Sequence, residues 1–235
     1  MPLPEGIRGV LTDIEGTTTP ISFVYEVLFP FAEAHLEAVC SRAQAGSPEA
    51  RALARLREEY VEERPAPEVP AFGNGAPYAR YLMTLDRKSP GLKALQGLIW
   101  KRGYERGELR GEVFPDVPEA LRAWRRAGVR LRAFSSGSVL AQQLLFRSTE
   151  CGDLTGYFDG FHDTTTGPKR EPASYTSIAE AFPLDPCHIL FLSDVVPELD
   201  AAAAAGLATG LLLRPGNTPA DPGGHPTYST FRQLI

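Results

Sequence analysis

Asp13-Ile14-Glu15-Gly16-Thr17-Thr18 sets two carboxylates two residues apart at the end of an apolar run, with a glycine and a row of hydroxyls behind them. Residues 7–12 read as a short strand, and side chains at i and i+2 of a strand or its extension point to one side. Asp13 and Glu15 can therefore face one space at the end of a sheet. Two carboxylates there repel unless a cation binds, one keeps its proton, or solvent screens them. The same six residues also suit an ordinary strand-to-turn transition, where Asp, Gly and Thr are common.

Other reactive groups lie far along the chain. Ser135-Ser136-Gly137-Ser138 follows an apolar run and precedes a helical pattern. Its hydroxyls and backbone N–H groups can hold an anion at a helix start, or Ser138 can simply cap the helix. Asp194 can complete a magnesium site of oxygen ligands with the first strand's carboxylates, or cap the helix containing Pro197. Lys169, in Gly167-Pro168-Lys169-Arg170-Glu171, can bring a compact positive charge to a transferring phosphoryl group, or stand in solvent. It is one of four lysines, with Lys88, Lys93 and Lys101, in a chain whose cations are mostly arginine. Glu198, one turn into the following helix, can pair with Lys169 or remain in water.

Those groups need elements to position them. Residues 7–12, 129–134, 158–162, 188–193 and 209–213 read as strands, and 116–127, 138–146 and 195–205 as helices. The run 188–193 is nearly all apolar, as in a strand buried on both faces. Alternating strands and helices predict an α/β fold, a parallel sheet with helices on both faces. The ligand crevice of such a sheet lies at the carboxyl ends of its strands, at a topological switch point. Asp13, Ser135 and Asp194 each follow a predicted strand and would converge there.

Residues 20–110 have another character. Phe23, Val24, Val27, Leu28, Phe31 and Leu36 give residues 22–45 a helical spacing, interrupted at Pro30. Residues 48–63 form a charged helix ended by Arg64-Pro65-Ala66-Pro67. A Gly73-Asn74-Gly75 turn precedes a helix over 76–85, and Ser89-Pro90 opens another as N-cap and first residue. Nothing in this block resembles a strand, so it reads as an all-helical insertion after the first strand.

Composition narrows the class. The 235 residues, 43% hydrophobic and 23% charged, suit a soluble α/β domain carrying an insertion. A net charge of -5 argues against general nucleic-acid binding and leaves room for a small phosphorylated substrate. Cys40, Cys151 and Cys187 are widely spaced, consistent with a reducing compartment. No signal-peptide pattern opens the chain and no apolar run is long enough to span a bilayer. The expectation is a cytoplasmic protein with no membrane partner, and a monomer, since no amphipathic seam is left over once the helical block packs.

A strand-end Asp, a strand-end Ser, a loop Lys and another strand-end Asp, in this order, resemble the haloacid dehalogenase superfamily. Glu15 stands where most phosphatases of that superfamily have Asp. Asp13 to Thr18 with Pro20-Ile21-Ser22-Phe23-Val24 is similar to the enolase-phosphatase (acireductone synthase) family of methionine salvage. So are Leu95-Gln96-Gly97 with Ile99-Trp100, and Ser135-Ser136-Gly137-Ser138-Val139. Thr164 to Lys169 with Glu171, Ser174 and Tyr175, Phe191-Leu192-Ser193-Asp194, and Arg214-Pro215-Gly216-Asn217 extend the likeness. It runs from Gly9 to about Asn217, with one departure: Glu112 stands where the family often has His.

The resemblance implies a Rossmann-like, doubly wound core over residues 1–19 and 111–235, with residues 20–110 as the cap. It implies Mg²⁺ held by Asp13, Glu15 (backbone carbonyl or side chain) and Asp194, and a phosphoryl group held by Ser135, Ser136, Gly137 and Lys169. Asp13 would be the nucleophile and Glu15 the acid and base in a two-step conversion of 2,3-diketo-5-methylthiopentyl-1-phosphate, enolisation and then phosphate hydrolysis. Glu15, His35 and His162 are candidate enolisation bases, and Phe72, Tyr78, Tyr81 and Trp100 either enclose the methylthio tail or pack the cap. The alternatives are a phosphatase for another small ester and a phospho-sensing module.

Overall fold

Strands and helices alternate through most of the chain, and the sheet they build explains where the polar groups end up. The computed structural model describes residues 2–63, 69–87 and 89–235. The expected stop at Arg64-Pro65-Ala66-Pro67, and Lys88, lie outside the described residues. In chain order the elements are β1 (Gly9–Thr12), a π-helical segment (Phe23–Leu28), α1 (Phe29–Ser41), α2 (Pro48–Glu62), α3 (Ala76–Thr84) and α4 (Pro90–Glu105). Then follow α5 (Val117–Arg126), β2 (Arg130–Phe134), α6 (Val139–Arg147), β3 (Gly160–His162), α7 (Pro172–Ala179), β4 (Ile189–Ser193), α8 (Val196–Ala204), β5 (Ala208–Leu212) and β6 (Thr227–Tyr228).

All the strands pair in parallel, in the order β3-β2-β1-β4-β5-β6. This is the doubly wound order, and it reverses between β1 and β4, where such sheets open their ligand crevice. The register sets Thr12 beside Ala133 on β2 and beside Leu192 on β4, so β2 and β4 each run one residue past the end of β1. Every residue of β4 is buried, as its apolar run predicts. Leu11, Phe134, Tyr175, Ile178, Phe191, Leu199 and Leu211 share one buried cluster that seats α7 and α8 on the sheet.

The chain divides into two compact units, Met1–Val24 with Arg110–Ile235, and Tyr25–Leu109. The sheet belongs to the first. The second holds α1 to α4, and its described residues contain no strand. Ser47 caps α2 by accepting from Ala50 N at 3.1 Å, and Ser89 caps α4 by accepting from Leu92 N at 3.0 Å. Glu59 of α2 accepts both the Ser89 hydroxyl and Gly91 N, tying the two helices together. A Cβ on Gly91 would stand 2.6 Å from the Leu56 backbone, so this crossing requires glycine.

Several local expectations change. Pro30 does not break the helix: α1 follows the π-helical segment directly, with Leu28 in helical backbone conformation, and Pro30, which has no N–H to donate, lies in the first turn of α1 where the winding changes. Phe72, Tyr78 and Trp100 are buried within the helical unit, Trp100 donating its indole N–H to Leu28 O at 2.8 Å. The third predicted strand shortens to Gly160–His162, and α7 and β6 appear where no pattern pointed to them.

Candidate active site

The turn after β1 is built on its one apolar residue. Ile14 is buried, and its carbonyl accepts from Thr17 N, Thr18 N and Thr19 N at 3.1, 2.9 and 2.9 Å. Gly16 sits at φ +74, and a Cβ there would lie 2.3 Å from Asp194 Oδ2, so only glycine allows this approach of the two strand ends. Asp13 N donates to Leu192 O at 2.8 Å, extending the β1–β4 ladder one residue past the strand.

Around that turn the side chains form two linked clusters. Lys169 Nζ lies 2.6 Å from Asp13 Oδ1 and 2.6 Å from Glu198 Oε2. Ser193 Oγ stands 3.1 Å from Glu198 Oε2 and 3.4 Å from Asp13 Oδ2. On the other side, Ser135 Oγ donates to the Glu15 carboxylate, 3.0 Å from each oxygen, and accepts from Gly137 N at 2.9 Å. Ser136 is half-buried beside Ser135 at the end of β2.

Each group is held from behind. Tyr175 OH donates to Lys169 O and Ser174 Oγ to Pro168 O, both at 2.7 Å, so the first turn of α7 fixes the loop that carries the lysine. Gln142 donates to Gly137 O and to His162 O, each at 2.8 Å, fixing the loop after β2. Ser138 caps α6 through Ala141 N at 3.3 Å, while Asp194 caps nothing: the Val195 N–H goes to Ser193 Oγ.

Asp13, Glu15, Asp194 and Glu198 share this space with one ammonium, and the last three titrate above their usual values. Burial, then the Asp13 charge, push Asp194 and Glu198 up to about 7 each. Glu15 is raised for the same two reasons. Burial alone would depress Lys169, but Asp13, Glu198 and Glu15 outweigh it and hold the ammonium above its usual value.

The chain matches the haloacid dehalogenase-like hydrolase family over residues 7–206. It is 48% identical over 240 residues to the enolase-phosphatase E1 of Synechococcus elongatus, an alignment covering 100% of each chain. The chain belongs to the enolase-phosphatase E1 family. The enolase-phosphatase E1 of Sorangium cellulosum is 55% identical over 215 residues, 89% of each chain. The UTR4 protein of Saccharomyces cerevisiae superposes with a TM-score of 0.79 at 36% identity, covering 97% of this chain and 100% of that one. CbbY from Rhodobacter sphaeroides, 18% identical with a TM-score of 0.63 over 97% of this chain and 96% of its own, shares the fold.

The site residues offer oxygen donors to a divalent cation. Asp194 Oδ1 is buried without a hydrogen-bond partner, and the cluster's carboxylates outnumber its one ammonium. That is an all-oxygen donor set with surplus negative charge, which suits Mg²⁺. Among the described residues no three Asp, Glu, His or Cys side chains are grouped as a ligand set, and the Glu15 carboxylate is engaged with Ser135. The histidines of the sequence reading stand elsewhere. His35 bonds Phe31 O at 2.9 Å inside the helical unit, and His162, lowered to about 4 by burial and by the Arg132 charge, contacts Arg132 at 3.2 Å. Sequence reasoning assigned no role to Ser193, whose hydroxyl bridges two site carboxylates; its position as the last residue of β4, beside Asp194, was the available signal.

Proposed function

We propose that this protein converts 2,3-diketo-5-methylthiopentyl-1-phosphate to the acireductone, by enolisation and then phosphate hydrolysis through an aspartyl-phosphate at Asp13. Membership of the enolase-phosphatase E1 family supports the reaction. The observation that carries it is the meeting of Asp13, Lys169, Glu15 and Ser135 at the switch point of the sheet.

In the hydrolytic half, Asp13 attacks phosphorus and the ester oxygen leaves. Lys169 already faces the nucleophile and neutralises charge that grows on the phosphoryl oxygens. On substrate binding, Ser135 Oγ turns from Glu15, and the N–H groups of Ser136 and Gly137, the latter released from Ser135 Oγ, join it on the same oxygens. Glu15 carries a proton more readily than an ordinary carboxyl, so it can give one to the leaving oxygen and then take one from the attacking water. Asp13, Asp194 and the Glu15 backbone carbonyl would hold Mg²⁺, whose contribution when bound is to offset charge on the phosphoryl group. Glu15 also takes the acidic C–H proton in enolisation; its nearness to Asp13 and Ser135 supports it over His35, which bonds Phe31 O, and His162, which contacts Arg132.

The helical block of residues 20–110 serves as the cap that excludes water and selects the substrate. The enzyme works as a cytoplasmic monomer; its three cysteines are all free. Incubation with the diketone phosphate tests the reading. Enediol absorbance must rise before or with phosphate release; phosphate release without it would leave a phosphatase for another ester.

A further inference from the structure

The segment Arg214-Pro215-Gly216-Asn217, just past β5, meets the active-site turn at its backbone. Asn217 Nδ2 donates to Gly16 O at 2.9 Å, and Arg214 Nε donates to Thr17 O at 3.0 Å. These are consecutive carbonyls of the turn that begins with the nucleophile. Gly16 N is taken by Thr19 O at 2.8 Å, so the peptide groups on both sides of Gly16 are pinned.

Arg214 is itself fixed with little freedom. Its side chain is 3% exposed, Nη1 lies 2.8 Å from Asp116 Oδ2, and the guanidinium packs over the rings of Phe114 and Phe231 at 4.4 and 4.8 Å. Asp116 in turn accepts from Thr230 Oγ1 at 2.7 Å and Phe231 N at 2.5 Å. A buried guanidinium braced on a carboxylate and two rings gives the turn a rigid support, and Asn217 transmits it to the residue next to Glu15.

We propose that Arg214 and Asn217 are positioning residues for the acid–base step. By holding the Gly16 and Thr17 carbonyls away from the site, they keep the Glu15 carboxylate against Ser135 and Gly16 against Asp194. Neither touches the reacting atoms. Loss of the Asn217 contact lets the turn rotate about Gly16, whose glycine backbone resists little, and carries Glu15 out of line. Misplacement of about 1 Å can lower a rate by ~10²-fold. This inference rests on the reading of Glu15 as acid and base.

The test is leaving-group dependence of kcat/KM, which reports transfer to Asp13 for any ester. Phenyl phosphate needs its leaving oxygen protonated, whereas 4-nitrophenyl phosphate hardly does. Asn217→Ala should lose roughly 10- to 100-fold on phenyl phosphate and no more than about threefold on the nitrophenyl ester. Asn217→Ser serves as the second variant should Ala fold poorly, and Arg214→Lys, which keeps charge beside Asp116 but lacks the Nε donor, should show the same pattern. In a Glu15→Gln background, Asn217→Ala should add less than about twofold, because the group it positions is already disabled. Equal losses on both esters, or losses that multiply with Glu15→Gln, would overturn the positioning role and leave the acid–base reading standing. A Glu15→Gln enzyme with no leaving-group dependence of its own would overturn that reading and this inference with it.

Discussion

Lys169 and Asp13, 156 positions apart in the chain, meet at 2.6 Å, with the ammonium shared equally by Glu198 on its other side. The lysine side chain is only 9% exposed. A cation buried among carboxylates is held for electrostatics at a reacting centre or for packing; the strand-end position of Asp13 argues for the first.

Lys169→Ala should therefore lower kcat/KM by about 10²–10³-fold, the usual effect of removing one group that stabilises developing charge. It should also leave Asp13, Glu15 and Glu198 without their cation, so affinity for inorganic phosphate should fall too. Steady-state kinetics with phosphate as competitive inhibitor checks both. Unchanged constants would return Lys169 to a structural role.

Asp194→Asn should separate stability from function. In the absence of metal, half-buried Asp194 holds one carboxylate oxygen, Oδ1, out of solvent without a partner, near the Asp13 charge. Removing its charge should leave metal-free protein at least as heat-stable as the wild type, while activity is lost. Magnesium should raise the melting temperature of the wild type by binding the folded state and leave the variant unmoved. Thermal melts with magnesium and with a chelator read this directly.

Asp116→Asn should destabilise by about 3–5 kcal/mol, because it leaves the Arg214 guanidinium buried without its counter-ion. Burial pulls the Asp116 carboxyl upwards, but hydrogen bonds from Arg214 and Thr230 prevail and hold it below its usual value. A depressed carboxyl contributes stability that is complete above the unfolded value of about 4 and is lost as pH falls through the folded one. Wild-type stability should thus decline in acid below about pH 4 more steeply than that of Asp116→Asn. Parallel decline in urea titrations across that range would contradict the assignment.

Much of this site was legible because the sheet writes it in sequence. The apolar run Ile189–Leu192 gives way to Ser193 and then Asp194, so the change from apolar to polar marks the carboxyl end of the strand even though Ser193 is still buried. Asp13 and Ser135 follow the same rule. The pairing of Glu198 with Lys169 was one of two readings the sequence left open, because a helix position and a loop lysine show no spacing that ties them; the fold of α7 onto the Lys169 loop decides for the pair. α7 itself escaped notice because Ser, Thr and Pro dilute its apolar face. Arg214 and Asn217 act on backbone carbonyls, which every residue possesses, so no pattern of residue types could identify their targets.

The central claim is that Asp13 becomes phosphorylated during turnover. Enzyme acid-quenched within a single turnover of labelled diketone phosphate, then digested and mapped, should carry the phosphoryl group on the peptide at Asp13, and Asp13→Asn should carry none and release no phosphate. Label on another residue, or phosphate release at the wild-type rate from Asp13→Asn, would contradict the account.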